Sequence, residues 1–475
     1  MAALARFAVT LVLVDASAGC QFHGDGIQPQ DGARADSATG DASATPDAHK
    51  PAVDAMDGPP VESAWARLLF AETKAGAIHA QSRRFEGNRV VVEDSQITDY
   101  AASTATWVRY AASPTGAEVL MVEGTILTIT GWLLFTRAER GTWQQAPASF
   151  ASSQATVADT RNFDIAFDGD GDAVLVYVDE EDNLVYRTVT PPETAYSQKT
   201  LVALGDGVGT AEWVELVPDP TTGDIVLGMS DDQQQLVTAR WDGDGWGSPA
   251  ILEDDNGDRV SKTGGRPFAI SVASDGSVWA AWGIDGAAKL YYAIDGTVQT
   301  AMDTAATIET VDLAALGGGN VAGCAYDSDG AGTLVAVVWP AQGTPSAKEF
   351  VVVSGDTAQV AAVPLGEDAL CVFPDDESAD PMDPTFDWVS YDAATGWGAV
   401  AHTPGIGGPG DTAFITAVGI GNGEALAVLS EGKSLFAAHY SDDQWTAMGP
   451  KAGLSSALAA TDSQVFGIAP IPPRP

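Results

Sequence analysis

The densest run of potential metal ligands in the chain is Asp168-Gly169-Asp170-Gly171-Asp172. Carboxylates at alternate positions of a tight loop can converge on Ca²⁺, a hard cation that takes about 6–8 oxygen ligands. Asp179 stands where the twelfth residue of a helix-loop-helix calcium loop would fall. However, Ala173 replaces that loop's glycine, and a strand over 173–178 would carry Asp179 about 20 Å away. The same run also fits a plain turn, because Asp and Gly tolerate left-handed backbone. A second acidic set lies in loops expected after the second strand of a repeated unit. It comprises Asp179, Glu180, Glu181 and Asp182; Asp231 and Asp232; Asp285; and Asp375, Asp376, Glu377, Asp380 and Asp383. On one face these would create a negative field for cations or a basic partner, or a solubilising coat.

Other chemistry finds fewer candidates. His79, His402 and His439 all fall in apparent strands, and there is no Gly-x-Ser-x-Gly, His-Glu-x-x-His or Walker loop. Paired carboxylates for glycoside hydrolysis are available in almost any geometry, given 65 acidic residues. Cys324 and Cys371 lie on expected strands of adjacent units; in an oxidising compartment they could form a disulfide, or remain two buried thiols. Trp143, Trp246, Trp397 and Trp445 recur at unit ends, where they could close a unit by packing or offer a platform for carbohydrate stacking.

Composition narrows the function classes. The 475 residues carry 23 basic and 65 acidic side chains, a formal charge of −42. So few cations argue against nucleic acid, whose binding displaces counterions from phosphates, and against electrostatic docking on anionic lipid. No apolar run reaches the roughly 18 residues of a membrane-spanning helix. A hydrophobic fraction of 45 % allows a sizeable core.

The N-terminus reads as an address. Arg6 precedes an apolar run, Phe7 to Val14, and small residues then lead to a cysteine, Ser17-Ala18-Gly19-Cys20. Charged start, apolar middle and small-residue end make a secretory signal over 1–20. The segment resembles the lipobox of bacterial lipoproteins, with Ser17 where Leu is usual; the resemblance implies acylation of Cys20. Gln21, rather than Asp, after the cysteine implies sorting to the outer membrane. Residues 21–62 are rich in Ala, Asp, Gly, Pro, Ser and Thr, with 8 acidic residues against 2 basic. Such a stretch cannot bury enough apolar area to order itself, so it is expected to be a disordered tether. Its Asp-Ala repeats resemble spacers in myxobacterial surface lipoproteins. His23 and His49 lie within it.

From residue 63 to 475 the texture is that of many short strands punctuated by Asp-Gly, Asn-Gly and Pro. One unit recurs: a strand, a Gly-bearing turn, a very apolar strand, a polar turn, and a strand often ending at Trp. Clear copies are 163–189, 213–246, 268–296 and 413–445; less regular ones are 107–124, 321–339 and 358–397. The turn glycines Gly116, Gly171, Gly223, Gly276 and Gly330 recur roughly every 52–55 residues, which suits a four-stranded propeller blade. The second strands are apolar on both faces (VLVYV, IVLGM, VWAAW), as strands buried between neighbouring blades should be. Residues 64–95 look like a unit lacking its first strand, and 453–470 like that missing strand. The expectation is an all-β fold: one β-propeller, closed by its two termini. Irregular spacing over 340–412 gives seven blades, with six or eight also fitting.

The body loosely resembles secreted bacterial propellers with sialidase-like or BNR-like repeats. Their Asp box is approached by Ser274-Asp275-Gly276-Ser277-Val278-Trp279, one residue short. Sialidase activity would need an arginine cluster, and Arg67, Arg109, Arg161, Arg187 and Arg240 stand in no recognisable context for one. The expected function is therefore a non-catalytic binding or scaffold module, a monomer on the bacterial envelope or secreted, with a protein or glycan partner. It would touch the membrane only through its lipid and need no cofactor other than, at most, calcium. The alternative is a secreted glycan hydrolase or lyase with carboxylates at the propeller mouth.

Overall fold

The computed structural model describes residues 66–470 with interruptions, among them 147–160, 375–385, 404–411 and 450–458; for 459–460 and 466–470 only the backbone is described. The signal and tether segments, Cys20, and Asp375, Asp376, Glu377, Asp380 and Asp383 lie outside the described residues. Among the described residues regular structure is all strand apart from a 3₁₀ turn at Gly317–Gly319, and no described helix is long and apolar enough to cross a membrane.

The strands form eight antiparallel sheets of four or five strands each. We number these blades 1 to 8 in chain order. The innermost strand of blade 1 is Phe466–Pro470. Those of blades 2 to 8 are Thr104–Ala112, Phe163–Phe167, Ala211–Pro218, Phe268–Val272, Thr310–Ala315, Ala361–Leu365 and Thr412–Gly421. Each packs against the inner strands of both neighbouring blades, and the C-terminal strand lies between those of blades 8 and 2. The ring is closed, so this is a β-propeller. Blade 1 joins the two ends of the body: Ala66–Lys74 pairs antiparallel with Phe466–Pro470, from Ala66 opposite Pro470 to Phe70 opposite Phe466.

Burial follows from this geometry. A strand sandwiched between blades has no wet face. Accordingly Ala173–Val178 and Ile225–Asp231 are buried at every position. Every blade boundary has its own apolar cluster. Between blades 2 and 3, for example, Trp107, Met121 and Trp132 meet Phe163, Leu175 and Tyr177; between blades 8 and 1, Leu426 and Val428 meet Leu68 and Phe70. Glycine at the first hairpin turn allows close approach. Gly169 donates its N–H to the Gly223 carbonyl of the next blade at 2.7 Å, and a Cβ on Gly223, already at φ +80°, would lie 2.6 Å from the Gly169 Cα.

The blade number corrects the sequence reading: eight blades rather than seven. Each of the seven units between 107 and 445 occupies its own blade, and the blade shared by the two termini is the eighth. Within blade 6 the unit is out of register. The unit at 321–339 was placed one hairpin too late, because Val321–Asp327 and Thr333–Trp339 are second and third strands, and Gly330 falls between them. The first strand is Thr310–Ala315, and its turn carries Gly318 at φ +70°. Blade 6 is thus compressed at its start, and the glycine ruler skipped a turn. Across the next boundary Cys324 and Cys371, on the second strands of blades 6 and 7, are joined by a disulfide with Cα atoms 5.7 Å apart. Both are fully buried.

Candidate functional site

The acidic loops are built into turns. Asp168 Oδ1 accepts the backbone N–H groups of Asp170 at 3.1 Å and Asp172 at 2.9 Å, and its Oδ2 lies 3.4 Å from the indole nitrogen of Trp241. Asp172 accepts from the Thr190 hydroxyl, while Asp170 is exposed. Asp219 repeats the Asp168 arrangement in blade 4, while in blade 5 Ala273 holds that position and Asp275, further into the turn, accepts from Ser277. After the second strands, Asp179 caps Glu181 and Asn183 and pairs with Lys199 at 2.7 Å. Asp231 caps Gln233 and Gln235 and accepts from Gly209. Both are buried, at 1 % and 0 % exposure. Burial opposes the charge of Asp179, but Lys199 and the turn N–H groups outweigh it and lower its pKa. Glu180, Asp232 and Asp285 are exposed, with Asp232 accepting from the Thr210 N–H and Asp285 reached by Gln234 across the blade 4–5 boundary.

Among the described residues, no group of three or more His, Cys, Asp or Glu side chains is arranged to hold a metal. Because the Asp168 carboxylate is committed to its turn, melting in millimolar CaCl₂ and in NaCl of matched ionic strength is expected to give the same Tm. An extra rise with calcium that disappears in Asp168→Asn, which keeps the capping oxygen, would overturn this expectation.

His402, His439 and the four tryptophans at unit ends each have partners within the blades. His402 Nδ1 lies 2.6 Å from Asp387, and His439 Nε2 lies 3.5 Å from Glu424. Burial holds the His439 pKa below its ordinary value against the pull of Glu424. Trp143, Trp246, Trp397 and Trp445 are each half-buried against the apolar cluster of a blade boundary. Of the arginines, Arg187 reaches Tyr177 and Arg240 pairs with Asp219 and Asp224.

The site that the sequence did not reveal is a cavity of about 280 Å³ at the propeller axis. Six inner strands contribute to its wall. Trp107, Arg109 and Tyr110 come from blade 2, Asp164 from blade 3, Trp213 and Glu215 from blade 4, Thr310 and Asp312 from blade 6, Ala361 from blade 7, and Ile415 and Thr416 from blade 8. Arg161 and Arg266 join them from the segments before blades 3 and 5. Three arginines and three carboxylates thus converge in a chain of net charge −42.

Most of these charges stitch blades together. Asp164 accepts the Leu216 N–H of the next blade at 3.0 Å. Arg161 donates twice to the Val214 carbonyl, at 3.0 and 2.8 Å, and lies over the Trp213 ring. Asp312 accepts the Ala362 N–H at 2.8 Å, and Arg266 bridges Glu215 and Asp312. Burial works against the Arg266 charge, but these two carboxylates more than offset it and raise its pKa. Arg109 differs. Its Nε is 3.6 Å from Asp164, and its guanidinium lies over Trp107 and Phe163. Burial, reinforced by Arg161, lowers its pKa to about 9. Burial also raises the pKa of Glu215. Four buried polar atoms of cavity residues have no hydrogen-bond partner: Arg109 Nε, Arg266 Nε, Trp213 Nε1 and Glu215 Oε2.

No protein-family model and no curated protein matches the chain. Similar solved structures include the BP39L lectin from Burkholderia pseudomallei, at 14 % identity and a TM-score of 0.47 over 75 % of this chain and 100 % of that one. A PL25 ulvan lyase aligns at 11 % identity and a TM-score of 0.44 over 73 % of this chain and 92 % of its own. The fucose-specific lectin from Aleuria aurantia aligns at 12 % identity and 0.35, over 63 % and 95 %.

Proposed function

We propose that the chain is a non-catalytic binding module of the bacterial envelope, whose propeller takes a small polar ligand such as a glycan unit into its axial cavity. The observation that carries this reading is the gathering of unpartnered buried donors and an acceptor in one cavity wall. A buried polar atom without a partner costs about 1–3 kcal/mol, and a ligand bearing hydroxyl groups would supply the missing bonds. A volume of 280 Å³ sits at the small end of ligand pockets. The test is a glycan array with the full chain, followed by titration calorimetry of each hit against Trp213→Phe, which removes one donor. Hits that bind this variant unchanged would place the ligand elsewhere.

A second reading, a glycan hydrolase or lyase, draws on Glu215. Burial raises its pKa, as it does for general acids, and Asp164 lines the same cavity. Against it, Asp164 and Asp312 are both held by a guanidinium and a backbone N–H. Release of reducing ends or unsaturated product from an array hit, lost in Glu215→Gln, would favour catalysis.

Export and anchoring rest on the N-terminal 20 residues. Acylation of Cys20 followed by the acidic tether would hold the propeller off the outer membrane. Two or more acyl chains give stable anchoring. The mature protein is therefore expected to partition into detergent, and Cys20→Ala to release it or block its processing. Equal partitioning of both forms would refute the anchor.

A further inference from the structure

We infer that the axial cavity is selective for an anion: a hydroxylated, monosaccharide-sized ligand bearing a carboxylate or a sulfate, held by Arg109. This rests on the binding reading above and specifies the charge of the ligand. The argument begins with donors and acceptors. The unpartnered buried atoms of the wall are three N–H donors, on Arg109, Arg266 and Trp213, and one acceptor, Glu215 Oε2. A complementary ligand is rich in acceptor oxygens and offers at least one hydroxyl donor. Each hydroxyl of a neutral sugar both donates and accepts; a carboxylate or sulfate adds oxygens that only accept.

Charge points the same way. Arg161 and Arg266 are occupied in stitching inner strands; Glu215 and Asp312 compensate the charge of Arg266, and both hydrogen bonds of Arg161 to Val214 are committed within the wall. Arg109 donates from one terminal nitrogen to the Val108 carbonyl at 3.0 Å, but its Nε has no hydrogen-bond partner, the nearest carboxylate being 3.6 Å away, and its guanidinium lies over two aromatic faces. Its side chain is 17 % exposed, and its surroundings disfavour its charge when the cavity holds no anion. An oxyanion beside it would stabilise that charge, and Arg suits planar two-point recognition of oxyanions. The volume of about 280 Å³ admits one ring and excludes an extended chain, so a polymer would be read at its end.

The experiment is calorimetric titration of the full chain with D-glucuronate, D-glucose 6-sulfate and D-glucose, repeated with Arg109→Met. The acid, the sulfate or both are expected to bind at least about tenfold more tightly than glucose, with a ten- to hundredfold loss in Arg109→Met that removes the preference. The two anionic probes decide between carboxylate and sulfate. Arg109→Met is expected to keep or raise the Tm, which separates loss of binding from loss of fold. If it does not fold, the comparison of the three probes on the unaltered protein still decides. Glucose binding as tightly as both anions would overturn the charge assignment and leave the binding reading standing. No binding of any probe would also overturn it, and the binding reading itself would then fall only if the glycan array were blank.

Discussion

Deletion of residues 453–475 is expected to abolish the cooperative unfolding transition of the whole body, not merely to loosen one blade. Phe466–Pro470 is the innermost strand of blade 1 and the partner of Ala66–Lys74 over five residue pairs. Its loss exposes a row of unpaired backbone groups facing the axis, an open edge of the kind that invites wrong pairing. It also removes the strand that lies between the inner strands of blades 8 and 2, so the ring opens at both boundaries. The clusters at those boundaries, which bury Leu68 and Phe70 against Leu426 on one side and Leu69 and Ile78 against Leu120 on the other, then lose their geometric constraint. Prolines at Gly467 and Ile468 together test the same idea without truncation. Successive residues point their N–H groups to opposite sides, so one of the two meets Ala66–Lys74, and proline cannot donate. The measurement is thermal and urea unfolding followed by circular dichroism. A truncated chain with an unchanged midpoint and slope would refute closure by the C-terminal strand.

The fold was readable because its signal is local and repeated. A glycine at positive φ closes the first hairpin in most blades, and the following strand is apolar on both faces, so each blade announces itself within about 30 residues. The register slipped where that signal shifts, at the Gly317–Gly319 turn of blade 6. The cavity could not be read in the same way. Its wall takes one to three residues from each of several inner strands up to about 300 residues apart in the chain. A trace existed: Arg109 in Trp107-Val108-Arg109-Tyr110 and Glu215 in Trp213-Val214-Glu215-Leu216 are charges within otherwise apolar first strands, and Asp164 interrupts Phe163–Phe167 likewise. A charge there must face either an apolar core or the axis, and only ring closure says which. Asp312 lay hidden in the strand that the repeat reading passed over. The acidic loops misled in the opposite sense. Asp179 and Asp231 look like surface charge in the sequence, yet both are buried turn caps, because an Asp side chain completes a tight turn as readily as it faces water.

Glu118→Ala is expected to destabilise the protein by about 3–5 kcal/mol, the usual cost of breaking a buried ion pair from one side. Glu118 is 3 % exposed and lies at the boundary of blades 1 and 2. It pairs with Arg67 of blade 1 and Arg137 of blade 2, and accepts from the Tyr110 hydroxyl, whose side chain lines the axial cavity. Glu93 is the other carboxylate of this network, holding Arg67 through two oxygens and lying 3.6 Å from Arg137. Truncation of Glu118 would leave two guanidiniums, 11 % and 6 % exposed, to share Glu93. Arg137 also lies over the Trp143 ring, 4.6 Å from its centroid, which fixes its position and limits rearrangement. Glu118→Gln should cost less, because it keeps the hydrogen-bonding oxygen while losing the charge. Replacing Arg67, Glu118 and Arg137 together by apolar residues should recover much of the loss, since no buried charge is then left without its partner. The network also sets a pH limit. Burial raises the pKa of Glu93, but Arg67, Arg137 and Arg84 outweigh it and hold the value below the ordinary carboxylate range. Its contribution is therefore complete above the unfolded carboxylate pKa and is lost as pH falls through the lower native one. Urea unfolding of the three variants at neutral and acid pH measures both effects. A Glu118→Ala protein as stable as the parent would show that the two arginines are held by packing and Glu93 alone.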